Sequence, residues 1–203
     1  MSIYKQKKLV LASSSPRRQE LIRSLQLPYE IRVSDVNEDT EPGLTPQEIV
    51  EQLSSRKAGA VFESYKVEPS AAAEAIIIGS DTIVVLDDAV LGKPKDKQDA
   101  FRMLKSLQGR GHRVFSGVAC IDFATGKTLV SHQVTFVYMK PLTDEQIERY
   151  IDTGEPMDKA GSYAIQGLGA TIVERIEGDY FNVVGLPLSL LSDLLGDLGV
   201  AVI

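Results

Sequence analysis

A chain of 203 residues that is 43% hydrophobic and 25% charged is long enough to bury a full core and has an ordinary soluble composition. Its net charge of −6 argues against general binding to nucleic acid polymers or anionic membranes, so any phosphate chemistry needs a local basic pocket and a small-molecule substrate. One cysteine, Cys120, excludes an internal disulfide and a thiolate metal cluster, and without an N-terminal apolar segment we expect a cytoplasmic protein.

A short apolar run at residues 9–11 predicts a buried strand, and the polar segment after it carries the first chemical signal. Ser15 followed by Pro16 places an N-cap residue before a proline at the first helical position. The first turn of a helix presents backbone N–H groups at the positive end of the helix dipole, and Arg17 and Arg18 add charge there. This pattern predicts a phosphate-binding loop, although solvated arginines on an unliganded helix would look the same.

Strands and helices alternate along the rest of the chain, which predicts an α/β protein with five or six helices on a mixed sheet. A capping box at Thr45 and Glu48 opens a helix that carries Lys57 on its more polar face. Residues 66–74 resemble a variable connector. The other predicted elements are strands at 29–33, 76–86, 114–123, 128–138, 172–176 and 180–184, and helices from Asp96 to Gly109, from Thr143 to about Gly154, and from Pro187 onward.

The most hydrophobic of these strands, residues 76–86, is predicted to be interrupted at residues 79–82, where Asp81 lies. An unpaired buried carboxylate costs several kcal/mol, so Asp81 needs a partner or a function. Acids and lysines also occupy other loops and strand ends, and carboxylates without histidine or cysteine suit a hard cation such as Mg²⁺ shared with substrate phosphates. We therefore consider one set of charged residues together: Arg17, Arg18, Glu38, Lys57, Asp81, Lys93, Asp158 and Lys159.

Several familiar sites are excluded or disfavoured by the sequence. The chain has no G-x-x-x-x-G-K-[ST] motif, and Gly167 and Gly169 precede a strand instead of opening a helix, as a dinucleotide fingerprint would. His112 and His132 lie in predicted strands without a second nitrogen or sulfur ligand nearby. Asp81-Thr82 resembles an aspartyl-phosphate nucleophile, but the acid expected two residues on is replaced by Ile83.

Five segments together resemble the Maf family of nucleoside triphosphate pyrophosphatases, and they occur in family order over nearly the whole chain. They are ASSSPRR at 12–18, GSDT at 79–82, GKP at 92–94, DKAGSYAIQG at 158–167 and VGLP at 184–187. The resemblance implies hydrolysis of a nucleoside triphosphate to the monophosphate and pyrophosphate with a divalent cation, for which Mg²⁺ is expected and Mn²⁺ or Co²⁺ are alternatives. It also implies one domain over residues 1–203 and a homodimer. The implied fold is an elongated mixed sheet flanked by helices, with two lobes around a central cleft, shared with the inosine triphosphatase superfamily.

The resemblance also implies roles for individual residues. Asp81 takes the position of the catalytic base and, with Glu38, of the metal-site carboxylates. Residues at positions that bind phosphate are Ser13, Arg18, Lys57, Lys93 and Lys159, and those at positions that govern substrate choice are Arg17, Thr82 and Gln166. Ser80, where the family commonly has alanine, and Asn37, where it commonly has an acid, are departures.

This combination resembles the dTTP/UTP branch of the family, and Gln166 makes physical sense there. Its amide offers one donor and one acceptor face, which complement the O4 acceptor and N3–H donor of uracil or thymine, whereas cytosine presents the opposite pattern. Because an aspartate is a weak base at neutral pH, we expect Asp81 to orient water or ligate the metal at least as much as it abstracts a proton. Two alternatives stay open: a nucleotide-binding regulatory protein linked to septum formation, and a phosphomonoesterase.

Overall fold

A computed structural model of the chain describes residues 7–67 and 74–203, so most of the predicted connector lies outside the described residues. The strands are β1 (Lys8–Leu11), β2 (Tyr29–Ile31), β3 (Ala75–Leu86), β4 (Ala89–Leu91), β5 (Gly111–Asp122), β6 (Thr128–Met139) and β7 (Val173–Glu177). The α-helices are α1 (Pro16–Ser24), α2 (Pro46–Tyr65), α3 (Lys97–Leu107), α4 (Asp144–Asp152), α5 (Tyr180–Val184) and α6 (Leu188–Asp197). Short 3-10 helices of the described residues lie at Glu155–Asp158, Ala160–Ser162 and Gly167–Thr171.

The strands of the described chain form one mixed, seven-stranded sheet flanked by helices, which confirms the predicted α/β class. Their order is β2-β1-β3-β5-β6-β7, with β4 paired to β3. Strand β1 runs parallel to both β2 and β3, with Leu9 opposite Ile76, whereas the β3–β4 and β6–β7 pairs are antiparallel. Among the described residues, no helix is long and apolar enough to cross a bilayer.

Two compact units divide the described chain. Unit 1 contains the described residues up to Asp81 together with 116–132 and 185–203, and unit 2 contains 82–115 and 133–184. Three of the boundaries fall inside the long strands β3, β5 and β6.

The predicted interruption of β3 is wrong, because Ala75–Leu86 is one continuous strand whose residues are all buried except the half-buried Thr82. A strand that is covered on both faces buries its side chains whichever face they are on. The polar residues in its middle therefore belong to the strand itself, and their side chains alternate between its two faces. Gly79 and Asp81 lie on one face, and Ser80 and Thr82 lie on the other.

Helix α2 packs against the Gly79 face of β3 in unit 1, where Ala58, Val61 and Tyr65 share a buried cluster with Ala75 and Ile77. The approach is close enough that a Cβ at Gly79 would overlap the backbone carbonyl of Ser54 and lie 2.7 Å from the backbone nitrogen of Ala58. Similarly, a Cβ at Gly117 of β5 would overlap the backbone carbonyl of Val50. Two glycines thus allow the backbone of α2 to lie directly on the sheet.

One predicted element has the wrong type: residues 180–184 form helix α5 instead of a strand. Asp179 Oδ1 accepts a hydrogen bond from the N–H of Phe181 at 2.8 Å, so an acid serves the start of this short helix. Inside it, the fully buried Asn182 donates its amide to the backbone carbonyl of Val114 and to Thr135 Oγ1, both at 3.0 Å. These tertiary contacts outweigh the strand preference of a Tyr-Phe-Asn-Val-Val segment.

Candidate active site

The loop between β1 and α1 folds as predicted, with α1 beginning at Pro16 after the N-cap Ser15. The N-cap side chain makes no capping bond, and the first turn contains no acid. Instead, the buried Ser13 accepts a hydrogen bond from the Ser15 N–H at 3.2 Å. The positive end of α1 is therefore left without a negative side chain of its own, which suits the binding of an anion.

The half-buried Arg18 is fixed by the backbone carbonyl of Gly185, which accepts from its Nε at 2.8 Å. The same carbonyl accepts from the hydroxyl of the buried Ser80 at 3.0 Å. Burial lowers the pKa of Arg18 from its usual value, while the nearby Asp81 carboxylate opposes that shift. Arg18 thus remains a cation in the electrostatic field of Asp81. Ser80, where the family commonly has alanine, donates to the same Gly185 carbonyl as Arg18.

Lys57 joins two predicted metal-site carboxylates. Its ammonium lies 2.6 Å from Asp81 Oδ1 and 2.7 Å from Glu38 Oε1. Lys57 and Asp81 are both buried, whereas 53% of the Glu38 side chain is exposed. The prediction that Lys57 lies on a more polar helix face is wrong, because the close approach of α2 to the sheet buries it.

The loop that carries Glu38 is held by Arg56, a residue that the sequence analysis missed. The Arg56 guanidinium donates to the backbone carbonyls of Asn37 and Asp39, on either side of Glu38, the second at 2.8 Å. Since Arg56 and Lys57 are consecutive in α2, one helical turn holds both the backbone and the carboxylate of this loop. An arginine next to a lysine on a helix carries no sequence signal for such a role.

The carboxylates of Glu38 and Asp81 both contact the Lys57 ammonium, so they are the candidates to hold a divalent cation together. Mg²⁺ is usually bound through one or two carboxylates, with substrate phosphate oxygens and waters completing its shell. The pair of carboxylates fits that pattern, and no cluster of three or more His, Cys, Asp or Glu side chains with metal-binding geometry occurs in residues 7–67 and 74–203. These two residues would therefore be the protein ligands of such an ion.

Gly79→Ala is expected to destabilise the protein by about 1–3 kcal/mol and to displace Lys57, because the new methyl group would overlap the backbone of α2. Denaturant unfolding and the rate of nucleotide turnover would measure the two effects. Gly59→Ala, in α2, is the matched control. Its Cβ would meet nothing within 4 Å, so we expect the free energy of unfolding to rise by about 0.5–1 kcal/mol. A Gly79→Ala protein as stable and active as the parent would contradict the close-packing argument.

In unit 2, two of the predicted phosphate ligands lie on neighbouring segments. The backbone N–H of Gly161 donates to the carbonyl of Gly92 at 3.0 Å, which pairs the segment of Lys93 with the glycine-rich segment of Lys159. Lys93 is exposed. The Lys159 ammonium donates to the Glu155 carbonyl at 2.6 Å and to Asp158 Oδ1 at 2.7 Å, with 11% of its side chain exposed. An ammonium has three donors, so these two bonds leave the third N–H of Lys159 unused, and its role as a phosphate ligand stays a prediction.

The predicted specificity residues are divided between the units. Arg17 belongs to unit 1 with Arg18, whereas Thr82 and Gln166 belong to unit 2. Thr82 follows Asp81 directly in β3, so the two side chains leave opposite faces of the strand. Gln166 is half-buried at the N-cap position of the 3-10 helix Gly167–Thr171. These assignments stay predictions.

His112 makes a hydrogen bond with Tyr163, three residues before Gln166. Its Nε2 lies 2.7 Å from the hydroxyl of Tyr163, and both residues are buried. Its Nδ1 has no hydrogen-bond partner in the described part of the chain. Burial lowers the pKa of His112 to about 4, so the ring is neutral at physiological pH and acts here as a packing and hydrogen-bonding group.

We expect the free energy of unfolding to fall by up to about 3 kcal/mol between pH 6.5 and 4 through His112 alone. In this window the unfolded chain protonates the histidine, whose ordinary pKa is 6.5, whereas the folded chain does not until about pH 4. His112→Gln keeps a polar group for Tyr163 but cannot titrate, so it should lose this part of the pH dependence. Denaturant unfolding of both proteins at pH 7 and 4.5 tests the difference, and parallel pH profiles would contradict it.

A family model described as Maf-like protein matches residues 8–198. The dTTP/UTP pyrophosphatase of Desulforamulus reducens is 51% identical over 195 residues, covering 96% of this chain and 98% of the relative. That of Acetivibrio thermocellus is 50% identical over 196 residues, covering 97% and 98%. The Staphylococcus aureus Ham1 structure matches only slightly, with a TM-score of 0.49 and 15% identity over 82% of this chain and 80% of that one.

The family is established by the match over most of the chain and by relatives that are half identical over nearly their full length. The sequence motifs that suggested it lie on the elements described above, with Asp81 on β3 and Arg18 on α1. The chain belongs to the Maf family.

Proposed function

We propose that this chain hydrolyses dTTP and UTP, and modified pyrimidine nucleoside triphosphates, to the monophosphate and pyrophosphate. The observation that carries the proposal is the convergence of Glu38 and Asp81 on Lys57, in the electrostatic field of Arg18. Relatives about half identical to the chain are named dTTP/UTP pyrophosphatases, which supports the choice of substrate.

In the proposed reaction, water attacks the α-phosphorus in line with the bond to the bridging oxygen of the β-phosphate. The new P–O bond forms as that bridging bond breaks, pyrophosphate leaves, and the proton of the water passes to solvent or to Asp81. Buried Asp81 is held in one position by Lys57, so its remaining oxygen is suited to orient the water. Most of the rate enhancement then comes from positioning and charge neutralisation.

The triphosphate would be held by cations and by the polar loop before α1. We assign this role to Ser13, Arg18, Lys57, Lys93 and Lys159. A divalent cation held by Glu38 and Asp81, Mg²⁺ in the first place with Mn²⁺ or Co²⁺ as alternatives, would neutralise phosphate charge. Arginine and lysine complement this by donating hydrogen bonds to the remaining phosphate oxygens.

Base selection would fall to Gln166, with Arg17 and Thr82 contributing to substrate choice. The Gln166 amide can donate to O4 of uracil or thymine and accept from N3–H, whereas cytosine offers a donor and an acceptor in the reverse order. The proposal also includes a cytoplasmic location, which rests on the single cysteine and the composition of the N-terminal segment, and a homodimer, which rests on the family resemblance.

Purified protein incubated with UTP and Mg²⁺ tests the proposal through the products released. We expect UMP and pyrophosphate in equal amounts, with dTTP behaving similarly. Release of orthophosphate would instead indicate a phosphomonoesterase. Tight binding of UTP without any product, across Mg²⁺, Mn²⁺ and Co²⁺, would indicate a nucleotide-binding regulatory protein of the kind linked to septum formation.

A further inference from the structure

The carboxylate of Glu155 in unit 2 is a meeting point for three hydrogen-bond donors. Its Oε1 accepts from the Tyr150 hydroxyl and from the backbone N–H of Gly169, both at 2.8 Å. Its Oε2 accepts from the backbone N–H of Leu168 at 3.0 Å. The Tyr150 oxygen in turn accepts from the N–H of Ala164 at 3.2 Å, so the network reaches both sides of residues 165–167.

These backbone donors belong to the first turn of the 3-10 helix Gly167–Thr171, whose N-cap residue is Gln166. The side chain of an N-cap residue usually accepts from this turn. Gln166 makes no such bond, and Glu155 supplies the acceptor from another segment. The amide of Gln166 is therefore not consumed by its own helix.

Two glycines make room for this arrangement. Gly167 has a φ of +63°, and a Cβ there would lie 2.5 Å from Glu155 Oε2. A Cβ at Gly169 would overlap the carbonyl of Ala164 and lie 2.6 Å from the Tyr150 hydroxyl oxygen. Gly167 and Gly169, which do not form a dinucleotide-binding motif, are therefore explained by the space that the side chains of Glu155 and Tyr150 occupy.

The charge on Glu155 is maintained in this position. Burial by itself would raise the pKa of the carboxyl group, but the N–H groups of Gly169 and Leu168 outweigh it and hold the pKa below its usual value. The hydroxyl of Tyr150 and the charge of Lys159 act in the same direction. An ionised carboxylate accepts only, so all three donors are satisfied at once.

We propose that Glu155 is a positioning residue for base selection: it caps the helix in place of Gln166, fixes the backbone at Gln166 and leaves its amide for the pyrimidine. This inference rests on the proposed contact between Gln166 and the base. Glu155 acts through the backbone of this segment and does not itself contact the substrate. Its effect should therefore appear in the choice between uracil and cytosine, and only indirectly in the rate of bond cleavage.

Glu155→Gln is the sharpest test, because it keeps the shape of the side chain but places an N–H₂ against a backbone N–H. The measurement is the dissociation constant of α,β-methylene UTP and of α,β-methylene CTP, which resist hydrolysis at the α–β bridge. We expect the parent protein to prefer the uridine analogue and Glu155→Gln to reduce that preference by about tenfold. Tyr150→Phe removes one donor and should reduce it less.

Glu148→Gln is the matched control, since it makes the same chemical change at an exposed position of α4, and its preference should equal that of the parent. Equal weakening of both analogues by Glu155→Gln would indicate a structural role only and overturn the proposal, as would a parent protein that binds both analogues equally. If Glu155→Gln does not fold, an unchanged preference in Tyr150→Phe overturns it. Absence of pyrophosphate release with intact uridine preference would contradict the proposed hydrolysis alone.

Discussion

Asp81→Asn is expected to lower kcat for UTP by about 10²- to 10⁴-fold while changing the affinity for nucleotide far less. The substitution keeps the shape of the side chain and an oxygen that can accept from Lys57, which lies 2.6 Å from Asp81 Oδ1. It removes the negative charge and the oxygen that we propose to orient the attacking water. Rates of pyrophosphate release would measure the loss, and binding of α,β-methylene UTP would show that the nucleotide is still held.

Asp88→Asn provides the control for this substitution. Asp88 lies in the turn before β4 with φ at +64°, a conformation that asparagine adopts readily, and its exposed carboxylate pairs with Arg113. We expect Asp88→Asn to hydrolyse UTP with the same kcat as the parent protein. A loss of only a few-fold in Asp81→Asn would remove Asp81 from the centre of the mechanism and would transfer its role to Glu38.

Local sequence signals predicted the elements that carry the site. Ser15-Pro16 located the start of α1, and the capping box of Thr45 and Glu48 located the start of α2, where both reciprocal bonds are present. These signals work because a helix N-terminus must satisfy its own backbone donors with residues close in sequence. They are independent of how the helix packs.

Features that depend on tertiary packing could not be predicted from local sequence signals. The burial of Lys57 depends on how closely α2 lies on the sheet, which Gly79 and Gly117 decide from distant parts of the chain. The cap that Glu155 supplies to residues 168 and 169 comes from a separate segment, and Arg56 acts on the backbone of a loop. Side chains that bond to backbone groups distant in sequence produce no periodicity and no motif. Their roles therefore cannot be predicted from the sequence.

Lys57→Met is expected to destabilise the protein by about 3–5 kcal/mol, because it leaves the buried Asp81 carboxylate without the ammonium that contacts it directly. Both side chains of this pair are 11% exposed, so water cannot replace the lost partner. The exposed Glu38 carboxylate, by contrast, can return to water at little cost. Methionine preserves the length of the lysine stem and its helix preference, so the change isolates the charge.

A double-mutant cycle separates the charge from the packing. When Asp81→Asn is combined with Lys57→Met, neither charge of the Lys57–Asp81 pair is left without the other, and most of the lost stability should return even though activity does not. Lys97→Met, at an exposed pair with Asp152 whose side chains are 68% and 71% exposed, is the matched control and should change the unfolding free energy little. Denaturant unfolding of the parent and the four variants gives the coupling energy. Strict additivity of the two buried substitutions would mean that Lys57 and Asp81 do not depend on each other, and the pairing on which the candidate site is built would then be wrong.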